Sequence, residues 1–250
     1  MFPVRLSIIT CNLWGTARWS MRKLALKQFV ETFFPDILCL QELCVESRSF
    51  LDEAMSEHNR VHDDFPGWTC EGNIYWKHCL FKEVEYGTED IGIEGNRRLF
   101  WVRLELKEQD RTVFVSTAHF TYKAHPKELE TGLSPRLEQT HQTVKALQRL
   151  VKDSEPAFFM GDFNDTSHPI FILNDAGYRD CFSALGVPCV PTAPSYPTAN
   201  IPIGSPTLSQ TLDWIVSNKY TRIVAAQVPH FYCGDAAPSD HWPVLAVYEI

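Results

Sequence analysis

The chain has no Cys-x-x-Cys pair, and His58 and His62 lie in a polar stretch with no cysteine pair at zinc-finger spacing, although the sequence contains eight cysteines. Cys11 and Cys39 sit inside apolar, strand-like runs, where a free thiol behaves as a small hydrophobe. Scattered reduced thiols in a cytoplasmic protein are therefore expected, rather than structural zinc or a disulfide framework. No apolar stretch approaches the roughly 20 residues of a membrane span, so no membrane insertion is expected. Met1 to Thr10 lacks the basic, apolar and small-residue succession of a signal peptide. A basic run is also missing, and the net charge is −8. Phosphate contacts dominate affinity for duplex nucleic acid, so this balance argues against tight non-specific DNA binding. It leaves room for a local basic cleft around one phosphate. No internal repeat or low-complexity linker divides the sequence, and a single domain over residues 1–250 is expected.

What is present reads as alternating strands and helices. Val4–Cys11, Asp36–Gln41, Glu71–Lys77, Leu80–Glu85, Leu99–Leu106, Thr112–His119, Ala157–Met160, Thr211–Val216, Thr221–Pro229 and Pro243–Ile250 are strand-like. Val113 to Ala118 is nearly all apolar or small, as in a sheet covered on both faces. Ser20–Phe34 shows a helical period in Met21, Leu24, Leu26, Phe29, Val30 and Phe33, stopped by Pro35. Ser47–Ser56 and Pro169–Ala176 read as shorter helices. Ser134–Lys152 is the longest, with Pro135 in its first turn and Leu137, Val144, Leu147, Leu150 and Val151 on its apolar stripe. His58–Gly67 is polar and reads as loop. Pro188–Pro206 is proline-rich and reads as a long irregular loop, a kind that is usually functional or flexible.

Polar groups recur where these runs end. They are Asn12, Glu42, Asp162, Asn164, Asp213 and Asp240, with His119 and His241. Charges placed at the ends of core strands must be paired or bound to metal. Carboxylates and amides are hard oxygen ligands suited to Mg²⁺ or Mn²⁺. Magnesium prefers one or two carboxylates, waters and substrate phosphate oxygens, so the set points to phosphate ester chemistry.

Cys11-Asn12-Leu13-Trp14, Leu40-Gln41-Glu42, Ala118-His119-Phe120, Gly161-Asp162-Phe163-Asn164, Leu212-Asp213-Trp214-Ile215 and Ser239-Asp240-His241 occur in this order. Together they resemble the endonuclease/exonuclease/phosphatase superfamily, with its DNase I-like fold, over nearly the whole chain. The resemblance implies a four-layer α/β sandwich: two mixed β-sheets packed face to face, with helices outside. It implies Glu42 as main Mg²⁺ ligand, with Asn12 beside it and Asp240 as a further ligand. Asp162 would orient and deprotonate the attacking water, and Asn164 would hold that water or a phosphoryl oxygen. His241 would stabilise the phosphoryl charge, and Asp213 would fix its tautomer. His119 matches a position near the phosphate or leaving oxygen. Gln41 would support Glu42. Glu71, in a segment resembling the family's deadenylase branch, would lie near the phosphate and pair with His119.

Each motif alone has a plainer explanation. Asn12 could cap a turn, and Glu42 and Asp162 could be loop acids or helix caps. Phe120, Tyr122 and Trp242 divide evenly between core packing and a pocket that stacks a base. Arg97 is a cation to watch for substrate phosphate, whereas Arg136 with Gln139 reads as structural. The chemistry expected is a metal-dependent phosphodiesterase or nuclease acting on a nucleic-acid end, a single strand or a small phosphodiester. The alternatives are a phosphomonoesterase on an inositol phosphate or similar ester, and a non-catalytic family member. Pro238-Ser239-Asp240-His241-Trp242 resembles the tyrosyl-DNA phosphodiesterase ending, while Glu71-Gly72-Asn73 leans toward deadenylases.

Overall fold

The computed structural model describes residues 3–195 and 208–250, so the middle of the proline-rich segment lies outside the described residues. The first half of the chain forms β1 (Arg5–Asn12), α1 (Trp19–Phe33), β2 (Ile37–Gln41), α2 (Val45–Ala54), β3 (His58–Arg60), α3 (Gly67–Cys70), β4 (Gly72–Lys77), β5 (Phe81–Glu89), β6 (Leu99–Leu106) and β7 (Thr112–His119). The second forms α4 (Pro126–Thr131), α5 (Pro135–Leu150), β8 (Ala157–Asp162), α6 (His168–Asp175), β9 (Arg179–Asp180), α7 (Cys181–Leu185), β10 (Asp213–Ser217), β11 (Arg222–Gln227) and β12 (Val244–Glu249). Two six-stranded sheets result, ordered β11-β12-β1-β2-β4-β3 and β5-β6-β7-β8-β10-β9. Each has one parallel pair near its centre, β1 with β2 and β7 with β8. Among the described residues every other strand pairing is antiparallel. This is the expected α/β sandwich of two mixed sheets.

Side-chain alternation explains the layers. In β2, Ile37 and Cys39 face the second sheet, while Leu38 and Leu40 face α1 and α2. Both faces of the strand are buried, so its sequence is a continuous apolar run. The inter-sheet core is rich in aromatic rings, among them Trp76, Phe114 and Phe158. Ala146 and Leu147 of α5 and Leu173 of α6 cover the far side of the second sheet. Among the described residues, no helix is long and apolar enough to cross a membrane. All eight cysteines are free thiols.

Several expectations need correction. In α1 the buried stripe is Arg22, Ala25, Leu26, Phe29 and Val30, while Met21 and Leu24 are more than half exposed. The helix is rotated because a charged residue, Arg22, takes an inward position. Along α5 and its C-cap the expected Val144, Leu147, Leu150 and Val151 do pack against the core, but the fully buried face also takes in Arg136, Gln139, Thr140 and Thr143. The stretch read as loop from His58 holds the edge strand β3. His58 itself is buried, with its ring Nε2 2.7 Å from the Pro35 carbonyl oxygen. The short elements α3, α4, α7 and β9 carry no long periodic pattern and are absent from the sequence reading.

Candidate active site

The parallel pairs of both sheets finish at one edge of the sandwich. Asn12 and Gln41 are register partners at the ends of β1 and β2, and His119 and Asp162 at the ends of β7 and β8. Antiparallel β10 begins there, placing Asp213 opposite Asp162. Carboxyl ends of parallel strands are where open α/β sheets hold ligands. The loop before β12 brings Asp240 and His241 to the same edge, and Glu71 lies just before β4.

Hydrogen bonds draw these groups together across the two sheets. Asn12 Nδ2 donates to Glu42 Oε1 at 3.1 Å and to Asp162 Oδ2 at 3.0 Å. Gln41 donates to Thr117 at 2.8 Å, a second bond between sheets. His241 Nδ1 donates to Asp213 Oδ2 at 2.8 Å and lies 3.9 Å from Asp162 Oδ2. His119 Nε2 lies 3.4 Å from Asp162 Oδ2 and 3.9 Å from Glu42 Oε1. Asp162 Oδ1 accepts the Asn164 N–H at 2.8 Å, and Asn164 Nδ2 donates to the Phe120 carbonyl at 3.0 Å. All eight chemistry-bearing residues expected from the strand-end pattern therefore belong to one edge.

The backbone there adopts conformations that side chains resist. Trp14, Glu42 and Asn164 have φ of 57°, 50° and 49°. Left-handed non-glycine residues cluster at functional sites, where surrounding contacts hold them. At Gly161, φ is +145° and an added Cβ would stand 2.0 Å from the Ala118 carbonyl oxygen. Glycine is required there because β7 and β8 approach closely just before Asp162.

Burial and neighbouring charge set the protonation states. Burial, reinforced by Asp213, pushes the Asp162 carboxyl up to about 7. Burial alone would lower the His241 pKa, but the Asp213 and Asp162 carboxylates outweigh it and hold it well above the usual histidine value. His119 moves the other way: burial, then the positive charges of Arg97 and His241, keep it neutral. Burial raises the Asp240 pKa, and Glu42 adds to the rise.

The donor chemistry fits a hard divalent cation. Glu42 and Asp240 offer carboxylates, and the Asn12 amide oxygen, which accepts the Trp14 N–H at 2.8 Å, has a second lone pair. Glu42 is partly exposed, which leaves room for water. Asp162, Asp213 and His241 also converge within 4.8 Å. There the His241 Nδ1 already bonds Asp213.

The substrate-side expectations fare differently. Arg97 Nε pairs with Glu71 Oε2 at 3.1 Å, so the partner of Glu71 is Arg97 and not His119. The Phe120 ring is fully buried and stacks on Phe163 at 5.1 Å. Trp242 is buried with His230 stacked on its face at 4.7 Å. The Phe120 ring belongs to the core between the sheets, whereas the Trp242 ring is covered by the exposed His230 outside that core. Arg136 is structural, bonded to Glu128, Asp165 and the Thr121 carbonyl. Sequence reading missed Arg22 and Thr192. Arg22 is fully buried and donates to the carbonyls of Ala17, Trp14, Gly15 and Pro238. Its signal was an arginine four residues before Leu26 on an otherwise apolar face.

The model of the endonuclease/exonuclease/phosphatase family matches residues 9–241. A comparison with curated protein sequences returns no match. Solved structures match the fold end to end. D. rerio TDP2 complexed with single strand DNA product is 19% identical, with a TM-score of 0.81 and 98% of each chain covered. Truncated Caenorhabditis elegans TDP2 is 17% identical, with a TM-score of 0.77 and 98% of each chain covered. Bacteroides thetaiotaomicron mannosyl-6-phosphatase is 18% identical, with a TM-score of 0.76, covering 98% of this chain and 99% of that one. With ordered motifs at one edge of a two-sheet sandwich and a family match over most of its length, the chain belongs to the endonuclease/exonuclease/phosphatase family.

Proposed function

We propose that the protein is a Mg²⁺- or Mn²⁺-dependent phosphodiesterase acting on a nucleic-acid end or a small phosphodiester. Family membership supports a phosphoester hydrolase. The observation that carries the hydrolytic reading is Asp162 held between Asn12, at 3.0 Å, and the Asp213–His241 pair. A carboxyl with a pKa near 7 is matched to take a proton from water at neutral pH.

Asp162 accepts the proton of the attacking water as the new bond forms to phosphorus and the bond to the leaving oxygen breaks. His241 stays protonated, and its free Nε2–H faces the charge that develops on the phosphoryl oxygens. Asp213 fixes the ring by accepting from Nδ1, the pairing that sets tautomer and orientation. Neutral His119 and Asn164 orient the water or a phosphoryl oxygen. Glu42, Asn12 and Asp240 would hold the cation, which when bound supplies Lewis-acid polarisation of the phosphoryl group. Arg97, steadied by Glu71, would meet a substrate phosphate. The TDP2 structure with single strand DNA product favours the diester reading. Similarity to a mannosyl-6-phosphatase favours a second one, a phosphomonoesterase.

The test is hydrolysis of bis(p-nitrophenyl) phosphate and p-nitrophenyl phosphate side by side, with Mg²⁺, Mn²⁺ or EDTA, by wild type and Asp162→Asn. Metal-dependent diester cleavage lost in the variant is expected. Steady preference for the monoester would replace the diester reading with the second. Activity surviving exhaustive chelation would refute the metal assignment.

A further inference from the structure

Asp213 and His241 belong to different sheets. Asp213 opens β10, and His241 lies in the segment that enters β12 of the other sheet. Their 2.8 Å hydrogen bond therefore depends on whatever sets one segment against the other. One buried residue touches both. The Thr192 hydroxyl oxygen accepts the N–H groups of Leu212 at 2.9 Å and Asp213 at 3.1 Å. Its carbonyl accepts the Trp242 N–H at 2.6 Å, and its own N–H donates to Gln210 at 2.8 Å. Three residues on, Ser195 repeats the pattern on the second segment alone. Its N–H donates to the Asp240 carbonyl at 2.6 Å, and its hydroxyl bonds the Ser239 carbonyl. Both side chains are almost fully shielded from solvent.

We propose that Thr192 is a positioning residue that holds the Asp213 and His241 segments in mutual register, with Ser195 fixing the backbone of Asp240. Thr192 needs no contact with substrate for this role. It supplies a two-acceptor hydroxyl on one side and a backbone carbonyl on the other. Such a bridge is worth having because small misplacements of reacting groups cost large factors in rate. A hydroxyl is needed, since a methyl in its place leaves two backbone N–H groups without partners in a dry site. The catalytic half of this inference rests on the phosphoester reading above, and the geometric half does not.

The test compares Thr192→Val, of nearly equal shape, with Thr192→Ser, which keeps the hydroxyl. Hydrogen–deuterium exchange is read over residues 209–214 and 239–243, alongside kcat and KM on bis(p-nitrophenyl) phosphate with Mg²⁺. Thr192→Val is expected to lose protection in both segments together. Its kcat should drop at least about tenfold with KM within about twofold, the signature of misplaced groups rather than lost binding. Thr192→Ser should restore both. Unchanged protection, or loss in one segment only, overturns the coupling. Loss in both with kcat intact overturns the positioning role, and so does a Thr192→Ser protein as defective as Thr192→Val. Should Thr192→Val not fold, Thr192→Ala removes the same acceptor without overfilling the site and is read identically. A wild type that cleaves neither ester counts against the proposed function, and the exchange measurement then decides the geometric claim alone.

Discussion

Replacing Asp162 by asparagine keeps the side chain's size and removes its capacity to take a proton. Turnover on a metal-activated diester is expected to fall by roughly 10²–10⁴-fold, the usual contribution of a positioned base. Stability should hold or rise, because a buried carboxyl facing Asp213 is lost. Thermal melting beside steady-state kinetics separates the two effects, and an active variant would sink the assignment. Arg22 carries the opposite expectation. Its buried guanidinium satisfies four carbonyls on the loop after β1 and on Pro238. Arg22→Met orphans them, and each unsatisfied buried carbonyl costs about 1–3 kcal/mol, so a loss of about 3 kcal/mol or more in urea unfolding is expected. A loss below about 1 kcal/mol would show that water replaces the guanidinium.

At the level of elements, the turn before β8 is held by charge. Glu155 accepts from Arg103 of β6 at 2.7 Å, both almost fully buried, and also from Thr112 and the Lys152 N–H. Burial works to raise the Glu155 pKa, but the Arg103 bond and its companions prevail and lower it. A depressed folded pKa gives stability that is present above the unfolded value. That stability fades as pH falls through the folded value. Glu155→Gln should therefore cost about 3 kcal/mol near neutrality, as broken buried pairs do, and progressively less as the buffer is acidified below pH ~4. Urea midpoints measured across that range decide it, and a pH-independent difference would refute the ionic account. The long elements were readable beforehand because burial on both faces leaves an unbroken apolar run, as in β2 and β7. The candidate site was readable because Asn12, Glu42, Asp162 and Asp240 interrupt or follow such runs with groups that are costly to bury. What escaped was polar and local. Arg22 is buried through hydrogen bonds that no periodicity records, and Thr140 and Thr143 join Arg136 and Gln139, which do read as structural, on the buried face of α5. β3 is a three-residue edge strand whose pairing with β4 comes from tertiary context. Thr192 acts through its hydroxyl and its backbone, and its neighbours in sequence give no hint of either partner.

For the whole molecule, a net charge of −8 and a cluster of carboxylates at one edge imply that added cations stabilise the folded form. Millimolar Mg²⁺ or Mn²⁺ should raise the melting midpoint, and the rise should vanish in Glu42→Gln. A midpoint indifferent to both metals would count against a cation site at that edge. The sheet holding β1 has a further property. Its strands come from both extremes of the chain, with Arg5 paired to Glu249 across 244 positions. The other sheet uses only the contiguous stretch from β5 to β10. On a ribosome that stretch can close while β1 still waits for β12, with its edge backbone unpaired and open to other strands. Glu42 and Asp162 emerge early and Asp240 and His241 late. From the synthesis of β1 until that of β12 the nascent chain thus carries a naked strand edge, and Asp240 and His241 reach the site only with the segment that covers it.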